Sequence, residues 1–131
     1  VEERDGIFEL TLTQPGMLRP LRAAELSDGT LRYLMWLAAL LAPVRPPLMA
    51  VNEPENSLHP SLLGPLARLI GRASADTQVV VVTHSQPLVD ALEAAVDPEG
   101  LAVVDLVKDL GETAVDGQGL LTRPAWEWGR R

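Results

Sequence analysis

Residues 7 to 13, IFELTLT, alternate apolar and polar side chains, the period of a strand with one exposed face, and Pro15 with Gly16 marks the turn that ends it. A loop is expected from there to about residue 26. From Thr30 the segment TLRYLMWLAALLA is apolar on nearly every side, which predicts a helix buried all round, with Trp36 in the core. Ser27 and Asp28 supply capping oxygens at its start, and Pro43 stops it. LMAV at 48 to 51 and VVVV at 79 to 82 are short and wholly apolar, as central strands of a parallel sheet are. Between them, PSLLGPLARLIGRA at 60 to 73 has helical leucine spacing. Pro60 sits where a first turn tolerates it, and Pro65 is expected to bend the helix or delay its start. Strand, helix, strand makes one right-handed crossover. A further helix is expected over 86 to 95, capped by Ser85 with Pro87 near its first position. A strand over 101 to 107, LAVVDLV, and a short partner near 113 to 115 complete an α/β domain. Residues 117 to 131 carry Gly117, Gly119, Pro124, Trp126 and Trp128 without periodicity. They read as a tail or docking segment, because exposed indoles in a flexible tail are costly.

Composition narrows the functional classes. At 131 residues and 47% hydrophobic content the chain is about one domain with enough apolar material for a core. No window reaches the roughly 18 consecutive apolar residues that a membrane span needs, so no membrane role is expected. With no cysteine, disulfides and thiolate metal sites are excluded, and a cytoplasmic location is expected. A net charge of −7, with Lys108 the one lysine, argues against a nucleic-acid surface on this chain. Arg130 and Arg131 read as a solvated tail. The chain begins at Val1 without an initiator Met and is expected to be a piece of a longer one.

The candidate chemistry sits at the strand ends. In open parallel sheets ligands bind beyond the carboxyl ends of the strands. Asn52 and Glu53 follow the first apolar strand, and Thr83, His84 and Ser85 follow the second, so two polar sets 30 residues apart can meet in one crevice. The third element is LSDGT at 26 to 30, a small polar turn into a helix start that offers backbone N–H groups and the positive end of a dipole to a phosphate.

In this order and spacing, LSDGT, LMAVNEPENSLHP and VVVVTHS resemble the second half of the ATP-binding-cassette type of ATPase head, in particular the RecF-like and SMC-like predicted ATPases of the AAA type. The resemblance covers roughly residues 6 to 116, and LVKDLGETAV at 106 to 115 looks like the strand pair that closes such heads. It implies a P-loop NTPase-like fold: the carboxyl-terminal lobe of a head over 1 to 116, mainly parallel sheet flanked by helices, ending in an antiparallel strand pair. It also implies roles. Ser27, Asp28 and Gly29 fall on the signature motif, which in that family reaches across a head-to-tail dimer to ATP held by the other subunit. Asn52 falls at the end of the Walker B strand, Glu53 on the glutamate that orients or deprotonates the attacking water, and Asn56, Ser57, Leu58 and His59 on the D-loop. His84 matches the switch histidine that contacts the γ-phosphate. The implied cofactors are ATP and Mg²⁺, and the implied activity is ATP hydrolysis.

Two positions depart from that pattern. The Walker B acid is Asn52 here, which keeps an acceptor oxygen and loses the charge. Either Glu53 and Glu55 suffice, or the copy is degenerate and serves as a nucleotide-dependent dimerisation switch, or position 52 carries a replaced residue. No GxxxxGK followed by Ser or Thr occurs. The phosphate-binding Walker A lobe is therefore expected before Val1 in the same gene product, and this chain alone is expected neither to bind ATP tightly nor to hydrolyse it. Nucleic acid remains a partner for the full protein only. Other residues have plainer readings: Glu55 a solvated loop acid, His59 a helix-entry residue, Arg32 either a link from signature helix to nucleotide or a surface arginine. A metal-dependent hydrolase built on Glu53, Glu55, His59 and His84 is the remaining alternative, although the two histidines lack helical i, i+4 spacing.

Overall fold

The computed structural model describes residues 1–4, 6–109 and 111–117. Trp126, Trp128, Arg130 and Arg131, expected in a docking tail, lie outside the described residues. The chain divides into two compact units, Val1–Asp97 and Pro98–Arg131.

In the first unit the strand expected over 7 to 13 is two short strands. β1 (Glu2–Arg4) pairs antiparallel with β2 (Ile7–Glu9), and β3 (Thr11–Leu12) pairs antiparallel with β4 (Leu21–Arg22). The break falls at Leu10, whose carbonyl accepts the N–H of Ala23 at 3.0 Å instead of a strand partner. β4 and a 3₁₀ turn, Ala23–Glu25, occupy part of the expected loop.

Charge holds that loop in place. Arg19 donates to both oxygens of Glu25, at 2.9 and 2.6 Å, and the Arg22 N–H reaches Glu25 Oε2 at 2.9 Å. The Arg19 hydrogen bonds, then the Arg22 N–H, hold the Glu25 carboxyl, ordinarily at 4.5, down to about 2. A folded value below the unfolded one means that the stabilisation is complete above the unfolded value and is lost as pH falls toward the folded one. An NMR titration of the Glu25 carboxyl should therefore give a midpoint at about 2, and Arg19→Ala should move it back up. A midpoint in the ordinary carboxylate range before substitution would show that the grip does not exist in solution.

Ser27 caps the next helix, α1 (Asp28–Leu40), by accepting the Thr30 N–H at 3.2 Å. At the other end Arg45 donates to the carbonyls of Leu40 and Ala42, at 3.3 and 3.0 Å, and pairs with Asp76, satisfying one acceptor of the last turn, Leu40, and one just beyond the cap, Ala42. The expectation of burial on all sides does not hold. Only Leu40 is fully buried, Trp36 is half-buried and Met35 is 54% exposed. An apolar helix becomes buried all round only when elements cover every face, and the described unit covers part of it.

The centre of the unit is the expected crossover. β5 (Leu48–Asn52) and β6 (Gln78–Val82) pair in parallel, from Leu48 opposite Gln78 to Asn52 opposite Val82. A 3₁₀ turn (Pro60–Leu62) and α2 (Leu63–Ala73) join them. Pro65 is the third residue of α2, within the first turn whose N–H groups need no helical partner, so it delays the helix rather than bending it. Leu63, Leu66, Ala67, Ile70 and Ala73 form its buried stripe. Together with Leu40, Val51, Pro54 and, from α3 (Gln86–Ala95), Leu88 and Leu92, they make up the buried apolar side chains of the unit.

Two expectations about the sheet need correction. The described sheets are four pairs, and only β5–β6 is parallel, so the sheet is not mainly parallel. Parallel pairing needs a crossover of a dozen or more residues, which the chain between β5 and β6 supplies; the partners in each of the other three described pairs are joined by short connections that return the chain antiparallel. Nor are β5 and β6 buried on both faces: Leu48, Val80 and Val82 are 54%, 44% and 52% exposed, and Ala50 lies exposed beside them.

In the second unit, β7 (Leu106–Asp109) and β8 (Glu112–Val115) form the expected antiparallel pair, with Gly111 at φ 90 in the turn. The strand expected from 101 begins only at 106. The turn sets the register so that Leu106 meets Val115; the Asp116 N–H then closes on the Asp105 carbonyl at 2.8 Å, and Gly117, at φ 74, redirects the chain. Residues 101 to 104 are left without a ladder. Among the described residues no helix is long and apolar enough to cross a membrane.

Candidate functional site at the ends of the parallel strands

Beyond Asn52 the chain makes two tight turns whose shape follows from its residues. Glu53 still belongs to the sheet edge, its N–H donating to the Val82 carbonyl at 2.7 Å. Its own φ is 43, a left-handed conformation that a residue before proline does not adopt by preference, costing about 1 kcal/mol or more. Pro54, fully buried, takes the second position of a turn closed by the Asn56 N–H on the Glu53 carbonyl at 3.1 Å. A second turn is closed by the Leu58 N–H on the Glu55 carbonyl at 2.9 Å, with Ser57 at φ 64.

These turns send the two glutamates to different partners. Glu53 Oε2 accepts from Asn56 Nδ2 at 2.6 Å, and Glu53 Oε1 lies 3.5 Å from His84 Nδ1. The pair is open to solvent, with the His84 side chain 74% exposed and that of Glu53 40%. Glu55 is not a solvated loop acid. It is half-buried and accepts from the Thr83 hydroxyl, while its second oxygen is buried without a partner. Thr83 Oγ1 in turn accepts the Ser85 N–H at 2.9 Å. Ser85 stands at the cap position of α3, yet its side chain makes no cap bond; its carbonyl accepts from Leu88 and Val89.

Asn52, the last residue of β5, is exposed on the same face as Leu48 and Ala50. His59 accepts the Ser61 N–H at 3.2 Å and so caps the 3₁₀ turn, as a helix-entry residue does. Among the described residues no three or more His, Cys, Asp or Glu side chains group to hold a metal ion. Arg32 is exposed.

The α1 start meets this loop. Ser27, Asp28 and Gly29 lead into the helix, and a Cβ added at Gly29 would overlap the carbonyl oxygen of Ser57. Only glycine allows that approach. The backbone N–H groups of Asp28 and Gly29, in the first turn of α1, have no intrahelical acceptor and lie at the positive end of its dipole. Three turns distant in sequence therefore meet through residues 53 to 57. Glu53 touches His84 across the sheet, Asn56 touches Glu53, and Ser57 receives Gly29. Sequence reasoning missed the Glu55–Thr83 bond, the Asn56–Glu53 bond and the Gly29–Ser57 approach. The Pro54 turn and the threonine next to His84 are the signals that point to them.

A solved chain from work on the structural biochemistry of ATP-driven dimerisation and DNA-stimulated activation of SMC ATPases superposes with a TM-score of 0.65 at 16% identity, covering 90% of this chain and 69% of that one. Among curated proteins no sequence matches. The model of the family described as "AAA domain, putative AbiEii toxin, Type IV TA system" matches residues 2–91. Because that match takes in β1 through most of α3, with every residue of the site, the chain belongs to this family of AAA domains.

Proposed function

We propose that this chain is the carboxyl-terminal lobe, residues 1 to 116, of an ATP-binding and ATP-hydrolysing head of the RecF-like and SMC-like kind, acting in the cytoplasm. The junction at which Glu53 touches His84 and the same loop packs under Gly29 carries the reading. The exposed apolar face of β5 and β6 supports a further part of it: a preceding lobe of the same gene product, with the phosphate-binding loop, lies against Leu48, Ala50, Val80 and Val82.

The residues present fit ATP with Mg²⁺. Ser27, Asp28 and Gly29 offer N–H groups at a helix start to the phosphates of nucleotide held by a second, head-to-tail copy. Asn52, exposed at the end of β5, would offer its amide oxygen toward the Mg²⁺, and Glu53 would provide negative charge next to it. The bound cation supplies charge neutralisation at the phosphates. Glu53 Oε1, not engaged by Asn56, is the oxygen that orients water or takes its proton, and His84 donates to a phosphate oxygen. Any contact with DNA is assigned to other parts of the full protein, since this chain is acidic. The test is phosphate release and nucleotide-dependent self-association of the full-length protein. Absence of both, in protein shown to be folded, overturns the reading.

Asn52 favours a second reading, a nucleotide-driven dimerisation switch with vestigial hydrolysis. Asn52→Asp separates the two. A rise in turnover of about tenfold or more identifies a degenerate site, whereas an unchanged rate identifies one already competent through Glu53.

A further inference from the structure

The two glutamates of Asn52-Glu53-Pro54-Glu55 divide the work around His84. Glu53 faces the imidazole. Glu55, turned the other way by Pro54, accepts from the hydroxyl of the residue just before His84, and that hydroxyl accepts the N–H of the residue just after it. His84 itself is 74% exposed, so packing does not fix its ring. Its direction depends on the backbone at Thr83 and Ser85, and both are tied through one oxygen atom.

We propose that Glu55 and Thr83 are positioning residues that hold the His84 loop at its working distance from Glu53. A hydroxyl has a single proton. By accepting the hydrogen bond of that O–H, the Glu55 carboxylate fixes which way the hydroxyl points and so turns the lone pairs of Thr83 Oγ1 toward the Ser85 N–H. The buried, unpartnered Glu55 Oε2 argues against a role in stability alone, because leaving a carboxylate oxygen buried and unpaired is unfavourable and an apolar side chain would avoid that cost. The bond also joins the loop after β5 to the loop after β6, so that a displacement of residues 53 to 57 is passed to His84 along a second route besides the Glu53 contact.

The inference rests on the reading of Glu53 and His84 as the reacting pair, and its test separates the two. In the full-length protein, Thr83→Val keeps the shape of the side chain and removes the hydroxyl, whereas Thr83→Ser keeps the hydroxyl. Glu55→Leu removes the acceptor, and Glu55→Gln keeps one. Thr83→Val and Glu55→Leu are expected to lower kcat about tenfold or more with little change in KM for ATP, and the conservative partners to stay within about threefold of the parent. Amide exchange at Ser85 and the His84 ring resonances, followed by NMR, should change in Thr83→Val and not in Thr83→Ser. Unaltered Ser85 exchange and His84 resonances in Thr83→Val overturn the positioning role whatever the turnover. Equal losses of kcat and thermal stability in all four variants also overturn it, by showing a purely structural part. If His84→Ala turns over like the parent while Thr83→Val still displaces the ring, the reading of the reacting pair fails and the positioning stands.

Discussion

Glu53→Gln is expected to lower ATP turnover of the full-length protein by about a hundredfold to ten-thousandfold while leaving nucleotide binding and folding close to the parent. The separation of effects follows from what each carboxylate oxygen touches. Oε2 accepts from Asn56 at 2.6 Å, and a glutamine carbonyl placed there keeps that bond. Oε1 faces His84 at 3.5 Å in an open site, where an amide nitrogen neither accepts a proton from water nor carries charge. The left-handed backbone at Glu53, φ 43, and its N–H bond to Val82 are properties of the chain that glutamine shares, so stability should change by only about 0.5 kcal/mol. Single-turnover hydrolysis, nucleotide binding and thermal unfolding of the two proteins provide the check. Equal rates remove Glu53 from its role; a parallel fall in binding and Tm makes it a structural residue.

The strand ends carrying that prediction were legible because β5 and β6 are short apolar runs of a parallel pair, and a parallel pair places Asn52, Glu53, Thr83 and His84 at the same end. α2 and α3 were legible for a similar reason: a strong 3.6-residue stripe needs no knowledge of partners. α1 shows where such reading stops. Its apolar residues announce a helix, but burial depends on which neighbours are present, and Met35 is left exposed. The break at Leu10 and the late start of β7 were hidden because both depend on where a partner strand begins, which no local pattern encodes. Within the site, Glu55 looked like a solvated acid because the sequence does not show that a buried proline turn aims it at Thr83. Gly29 looked like one member of a phosphate-binding turn, and its closeness to Ser57 required the backbone.

Gly29→Ala tests that closeness with a prediction whose sign is set against local preference. Gly29 is the second residue of α1, and alanine in a helix is favoured over glycine by about 1 kcal/mol. Gly64 occupies the same position in α2, and a Cβ there meets only the Arg68 Nη1, at an ordinary 3.6 Å. Gly64→Ala should therefore raise Tm. At Gly29 the Cβ meets a backbone carbonyl, not the end of a flexible side chain. Ser57 has little freedom to retreat, because it is already left-handed at φ 64 and lies inside the turn closed by Leu58 on Glu55 at 2.9 Å. Forcing the α1 start and this loop apart is expected to cost about 1 to 3 kcal/mol, enough to cancel the helical gain and lower Tm. The same displacement moves Asn56, and with it the bond that steadies Glu53, so turnover in the full-length protein should fall by about tenfold or more even at temperatures where the variant remains folded. If Gly29→Ala instead stabilises the protein as Gly64→Ala does, helix α1 and the loop after β5 are not in contact. The three turns would then no longer form one site.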